Sequence, residues 1–112
     1  MKNKQAVENL TKARKLIKDE NNWTTGYLAL DIDGNEVSPR SKKAVAFCAL
    51  GAVRHIDGPG EKKAIKFLIE VANGRTGQNY KDSTSIFEVN DEGEHADTID
   101  MFTQAIRLAK KQ

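Results

Sequence analysis

Apolar residues recur at helical spacing over residues 3–18. Val7, Leu10, Ala13 and Ile17 fall on one face, with Ala6 and Leu16 beside them, and this predicts a first helix. Lys4, Lys12, Arg14, Lys15 and Lys18 fall mostly on the other face or near the helix end, where cations suit the dipole. Asp19 to Asn22 ends this helix, and Trp23 opens the next element, expected to pack back on the first. From Tyr27 to Ile32 the period drops to two: Leu28, Leu30 and Ile32 alternate with Tyr27, Ala29 and Asp31, as in a strand. Asp33-Gly34-Asn35 supplies a tight turn, and Glu36-Val37 a short returning strand. Such a hairpin is too small to stand without helices beneath it.

Residues 44–53 read Ala-Val-Ala-Phe-Cys-Ala-Leu-Gly-Ala-Val, apolar on every side of a helical wheel. A helix greasy all round is a buried one, so this segment, taken as a helix from about residue 43 to Ile56, is expected at the centre of the fold. Asp57-Gly-Pro-Gly60 breaks it. Glu61 to Ala72 predicts a third helix with Ala64, Ile65, Leu68, Ile69 and Ala72 inward and Asn73-Gly74 as its C-cap. Residues 75–84 read as a polar loop. Ile86 to Val89 fits either one helical turn or a short strand, and Asn90 to Glu94 a turn. The last helix covers His95 to Lys110, with Ile99, Phe102, Ile106 and Ala109 inward and Met101 and Leu108 flanking. The predicted architecture is mainly α with a minor β part. It is a single domain, residues 1–112, of about four helices around a buried central helix, with one small β-hairpin.

Length supports that picture: a chain of 112 residues buries roughly two thirds of its unfolded surface. Charge narrows the partners. Eighteen Lys and Arg against sixteen Asp and Glu leave a formal +2, too little excess for bulk nucleic-acid binding. The lone Cys48 cannot form an internal disulfide, and its apolar neighbours fit a reducing cytoplasm. No segment approaches the roughly 20 apolar residues of a membrane helix, and the N-terminus does not resemble a signal peptide. A soluble cytoplasmic protein is expected.

Few residues carry candidate chemistry. Cys48 and His55, seven apart on the predicted helix, share a face but are separated by about 11 Å of rise, too far for a direct hydrogen bond. His95, with Asp91, would be the better partner for a thiol nucleophile. Against that stands a buried thiol acting as a small hydrophobe, since activated thiolates need a polar, partly open setting. Asp31 to Glu36 fails the calcium-loop pattern, with Glu36 at the sixth position and Lys42 at the twelfth. Gly58-Pro-Gly-Glu-Lys62 lacks the Gly-Lys-Ser/Thr ending of a phosphate loop. Arg75, within Gly74 to Asn79, could contact a phosphate or a protein partner. Trp23, Asn90 and Asp91 could bind a polar ligand, or Asn90 and Asp91 could simply make a turn. Two histidines and one cysteine are too few for a zinc site unless carboxylates complete it, and no cofactor motif is recognised.

Trp23-Thr-Thr-Gly26, Phe47-Cys-Ala-Leu-Gly-Ala52 and Val89-Asn-Asp91, in that order, resemble a family of small uncharacterised bacterial and phage proteins, a domain of unknown function. The resemblance runs from about Ala13 to Ala109 and assigns no activity. It marks Trp23, Gly26, Cys48, Gly51, Ala52, Asn90 and Asp91 as residues that converge, as a core or as a site. The expected location is the cytoplasm, that of a host if the chain is phage-encoded. The leading functional expectation is a non-enzymatic binding or accessory protein acting on a host protein. The alternative is a small thiol-dependent hydrolase or transferase using Cys48 with His95 or His55 and Asn90 or Asp91. A third is weak nucleic-acid binding through the Lys-rich first helix and Arg107, Lys110 and Lys111.

Overall fold

The first helical pattern forms α1 (Lys4–Ile17) in the computed structural model, which describes residues 2–112. Ala6, Val7, Leu10, Ala13 and Ile17 are buried along one stripe, as their spacing requires. A short 3-10 turn (Glu20–Asn22), capped by the Asp19 carboxylate, leads into an irregular segment holding β1 (Ala29–Leu30) and β2 (Ala46–Phe47). Four further helices follow: α2 (Ala49–Ile56), α3 (Glu61–Thr76), α4 (Thr84–Glu92) and α5 (His95–Lys111). The fold is mainly α with one small antiparallel strand pair. There are five helices rather than about four, because residues 84–92 form a full helix where the sequence left one helical turn or a short strand open for Ile86 to Val89 and expected a turn from Asn90.

The turn at Asp33-Gly34 forms as expected. The Asp31 carboxylate accepts from the backbone of Asp33 and Asn35, both at 2.9 Å, and Gly34 takes φ 82°. The returning segment does not become the main partner strand, for only Leu30 bridges Glu36. The ladder instead joins Ala29 to Phe47 and Leu30 to Ala46.

That pairing corrects the expected central helix. Residues 44–47 run extended, and the helix begins only at Ala49, with Cys48 as its N-cap at φ −79°, ψ 176°. Val45 and Phe47 are β-branched and aromatic, types that favour strands. A short apolar run of this kind has no period to separate strand from helix. The eight residues of α2 are central all the same: Ala49, Leu50, Gly51, Ala52 and Val53 are all buried.

α3 runs past the expected Asn73-Gly74 cap to Gly77, whose φ of 71° is the left-handed C-cap conformation natural to glycine. The Asn73 side chain instead ties down the following loop through the backbone of Tyr80. α5 starts with a capping box in which Glu94 N–H donates to Asp97 at 2.8 Å.

α1 and α5 lie antiparallel. Asn3 donates to the Ala109 carbonyl in the last turn of α5, while His95 at the start of α5 meets the Ile17 carbonyl at the end of α1. α3 enters beside the start of α1, where a Cβ on Gly60 would fall 2.1 Å from the Gln5 carbonyl oxygen. The bundle therefore has two distinct ends. Between them Leu10, Ile17, Phe47, Val53, Leu68, Ile86, Met101 and Phe102 belong to one buried cluster. Among the described residues no helix is long and apolar enough to cross a membrane.

Candidate functional site

The end of the bundle near Ile17 gathers the residues that the sequence singled out. α4 buries Ser85, Ile86, Val89 and Asn90, a helical stripe that carries Asn90 inward rather than into a turn. Asn90 is fully buried, and its amide joins α4 to three other elements: the irregular segment, α2 and α5. Oδ1 accepts from Trp23 Nε1 at 2.8 Å, from the Ala49 backbone at 2.9 Å and, more weakly, from Thr98 Oγ1 at 3.5 Å. Nδ2 donates to the Thr24 carbonyl at 3.0 Å and to Asp91 Oδ1 at 2.8 Å. The amide's donors and acceptor are all used, which is what permits a polar side chain in the core.

Asp91 is exposed but engaged, since its Oδ1 also accepts from Gly26 N–H at 3.2 Å. Cys48 caps α2. Its Sγ accepts from Gly51 N–H at 3.4 Å, and its own N–H donates to the Leu28 carbonyl at 3.2 Å. Gly51 has no room for a side chain: a Cβ would lie 1.8 Å from that same Leu28 oxygen. Ala52 N–H closes the first turn on the Cys48 carbonyl at 2.9 Å. Trp23, Gly26, Cys48, Gly51, Ala52, Asn90 and Asp91 thus meet at one joint, where the irregular segment is pinned to α2, α4 and α5.

The candidate catalytic groups are all occupied within the fold. Cys48 is 1 % exposed. Burial pushes its thiol pKa up, the Asp91 charge adds to that, and backbone N–H groups of Gly51 and Leu50 oppose it. His55 Nδ1 lies 2.8 Å from the Pro39 carbonyl and must donate to it, with the ring against Phe47. His95 Nε2 likewise donates to the Ile17 carbonyl at 2.7 Å, with its ring 5.3 Å from that of Trp23. The expected Cys48–His95 pairing is not made: each imidazole is hydrogen-bonded to a backbone carbonyl, and the described thiol contact is to Gly51. Trp23 packs against the core cluster to which α1 contributes Ile17, and its indole adds the contacts with α4 and α5. Arg75 does not join the group; it braces α3 to α5 through Gln104 and Asp97, both at 3.3 Å.

Two shallow hollows flank the joint. One, of about 300 Å3, is lined by Gly26, Tyr27, Leu28, Glu36, Phe87 and Asp91. The other, of about 500 Å3, includes Glu20, Trp23, Glu94 and His95. Both have acidic rims. Residues 19–36 and 82–100 carry twelve of the sixteen acidic side chains and no Lys or Arg. Tyr27, Ile32 and Val45 are large apolar side chains exposed in the irregular segment, Ile32 at 84 %. Among the described residues no cluster of His, Cys, Asp and Glu is arranged to hold a metal ion.

Sequence reasoning missed Thr98 and Thr24, which carry no signal outside the fold. It also missed the segregation of the acids, which was countable along the chain. No curated protein and no solved structure matches the chain. A family model described as a family of unknown function, DUF6197, matches residues 1–108, and the chain belongs to that family.

Proposed function

We propose that this is a non-catalytic binding protein that docks a basic segment of another protein on the face around Tyr27, Ile32 and Val45. The observation that carries the reading is the exposure of Tyr27 and Ile32 within residues 19–36, which bear Asp31, Asp33 and Glu36 and no Lys or Arg; Val45 is exposed beyond Arg40, Lys42 and Lys43 of the same irregular segment. Exposed apolar anchors rimmed by polar groups mark interaction sites, and charge of one sign selects and steers the partner. The use of Cys48, His55, His95 and Asp91 as internal ties supports a role without catalysis. A single buried thiol fits a reducing cytoplasm; if the chain is phage-encoded, that is the host's cytoplasm and the partner a host protein.

The test is site-specific photocrosslinking in cells, with the probe at Tyr27, Ile32 or Lys12. The same stoichiometric adduct from Tyr27 and Ile32, absent from Lys12 and weakened by Asp31→Asn with Asp33→Asn, is the expected result. Equal adducts from all three positions, or none, would overturn the reading.

A further inference from the structure

The opposite end of the bundle is built for the opposite charge. Where α3 enters beside α1, a groove of about 600 Å3 is lined by Lys2, Lys4, Lys62, Lys63 and Lys66, with no acid in its lining. None of these lysines takes part in an ion pair among the described residues. Lys63 reaches only Asn3 Oδ1, at 3.4 Å. Glu61, the nearest acid in sequence, is turned away onto Arg40 at 3.0 Å. Glu70 borders an adjoining hollow of about 300 Å3, which Lys2, Lys63 and Lys66 also line. The last turn of α5 is held against this end by Asn3 and Ala109, and Gln112 lines the adjoining hollow. Residues 2–6, 58–70 and 107–112 together hold eight Lys and Arg against two acids.

Like charges crowded into a concavity repel one another and draw counter-anions into it. Glycine at position 60 lets the first turn of α3 rest on the Gln5–Ala6 backbone, so the ammonium groups of both helices face one volume. Lysine binds phosphate as a point charge, and the partial positive charge of the two helix starts acts in the same sense.

We propose that this groove binds a compact oligophosphate group, such as the triphosphate of a nucleotide or inorganic polyphosphate. Size and charge decide for a compact anion over nucleic acid. The groove volume is that of a small-ligand site. A ligand seated in it touches a lining with five lysines and no acid, and Glu8, Asp57 and Glu70 line only the adjoining hollows. A duplex extending beyond the groove would meet Glu8, Asp57 and Glu70, which line the adjoining hollows. This inference stands independently of the protein-docking face.

The test is an NMR titration of the folded protein with inorganic tripolyphosphate and, separately, adenosine triphosphate, in about 0.15 M salt. Saturable shifts confined to residues 2–6 and 59–66 are expected. Lys62→Gln with Lys66→Gln, both on exposed sites, should weaken binding by about tenfold. Adding Lys63→Gln should weaken it further. The control Lys12→Gln with Lys15→Gln, of equal charge change on the outer face of α1, should leave affinity within about twofold. Equal affinity for the two probes assigns the phosphate chain as the ligand, and tighter adenosine triphosphate binding assigns a nucleotide. No saturable binding, equal loss in the control, or tighter binding of a DNA duplex with shifts beyond the groove would overturn the proposal.

Discussion

The two ends of the bundle treat polar groups in opposite ways. At the Asn90 end the buried amide finds all its hydrogen-bond partners inside the protein, and the acids stand outside in solvent. At the Gly60 end the lysines line a concavity and, among the described residues, go without acidic partners. Both ends depend on a glycine pressed against backbone, Gly51 on Leu28 and Gly60 on Gln5. The difference separates two meanings of a cluster of polar residues. One with all its hydrogen bonds made inside the protein specifies the fold; one whose charges have no internal partner is left available to an outside group.

The largest effects should come from the glycines. Gly51→Ala puts a methyl group into a carbonyl that is held by the strand pairing, and overpacking of this kind costs about 3 kcal/mol or more. Gly51→Leu should abolish folding. Gly60→Ala meets Gln5 backbone in the same way and should destabilise by a similar amount. Urea denaturation measures both, and a midpoint unchanged in Gly51→Ala would mean that α2 does not lie against Leu28.

Next is Asn90→Ala. It strips the Ala49 N–H and the Trp23 indole of their acceptor, and each donor left buried without a partner costs about 1–3 kcal/mol. The same substitution should blue-shift or broaden Trp23 fluorescence by freeing the ring. Asn90→Ala with wild-type stability and an unaltered tryptophan spectrum would show that the joint holds nothing together. Arg75→Ala, by contrast, removes a partly exposed brace at 3.3 Å from Asp97, and should cost under about 1 kcal/mol.

The smallest effect is one of pH. Asp57 is held below the ordinary carboxylate value of about 3.9, chiefly by the Gly58 N–H and then by the Arg40 charge. A carboxylate depressed in the folded state contributes its stability above the unfolded value and loses it as pH falls through the folded one. Asp57→Asn should therefore lose a small contribution at neutral pH and converge with wild type as pH falls below about 4, which flattens the acid limb of the stability curve. An acid limb identical to wild type would remove Asp57 from the account.

How far the sequence could be read differs by element. α1, α3 and α5 are long enough for a helical period to show, and Leu10, Ala64, Leu68, Phe102 and Ala109 are buried where that period puts them. Residues 44–48 could not be read in this way. An unbroken apolar run carries no period, and a strand pairing with Ala29 is decided by contacts far along the chain. α4 was illegible for a related reason: nine residues ending in Asn90-Asp91-Glu92 look like a turn until a core is present to receive Ile86 and Asn90. The residues of the joint could be named from their order. Their work could not, because Asn90 is defined by Trp23, Ala49 and Thr98, which come near it only in the fold.

The most direct measurement is the alkylation rate of Cys48 in the native protein near neutral pH, set beside the rates in denaturant and in Asn90→Ala. A thiol sealed beneath the irregular segment should react orders of magnitude more slowly than a free cysteine, fully once unfolded, and faster when the Asn90 amide is removed. Native Cys48 reacting as fast as, or faster than, a free thiol would contradict the claim that this cluster is a structural joint and would return it to the status of a reactive site.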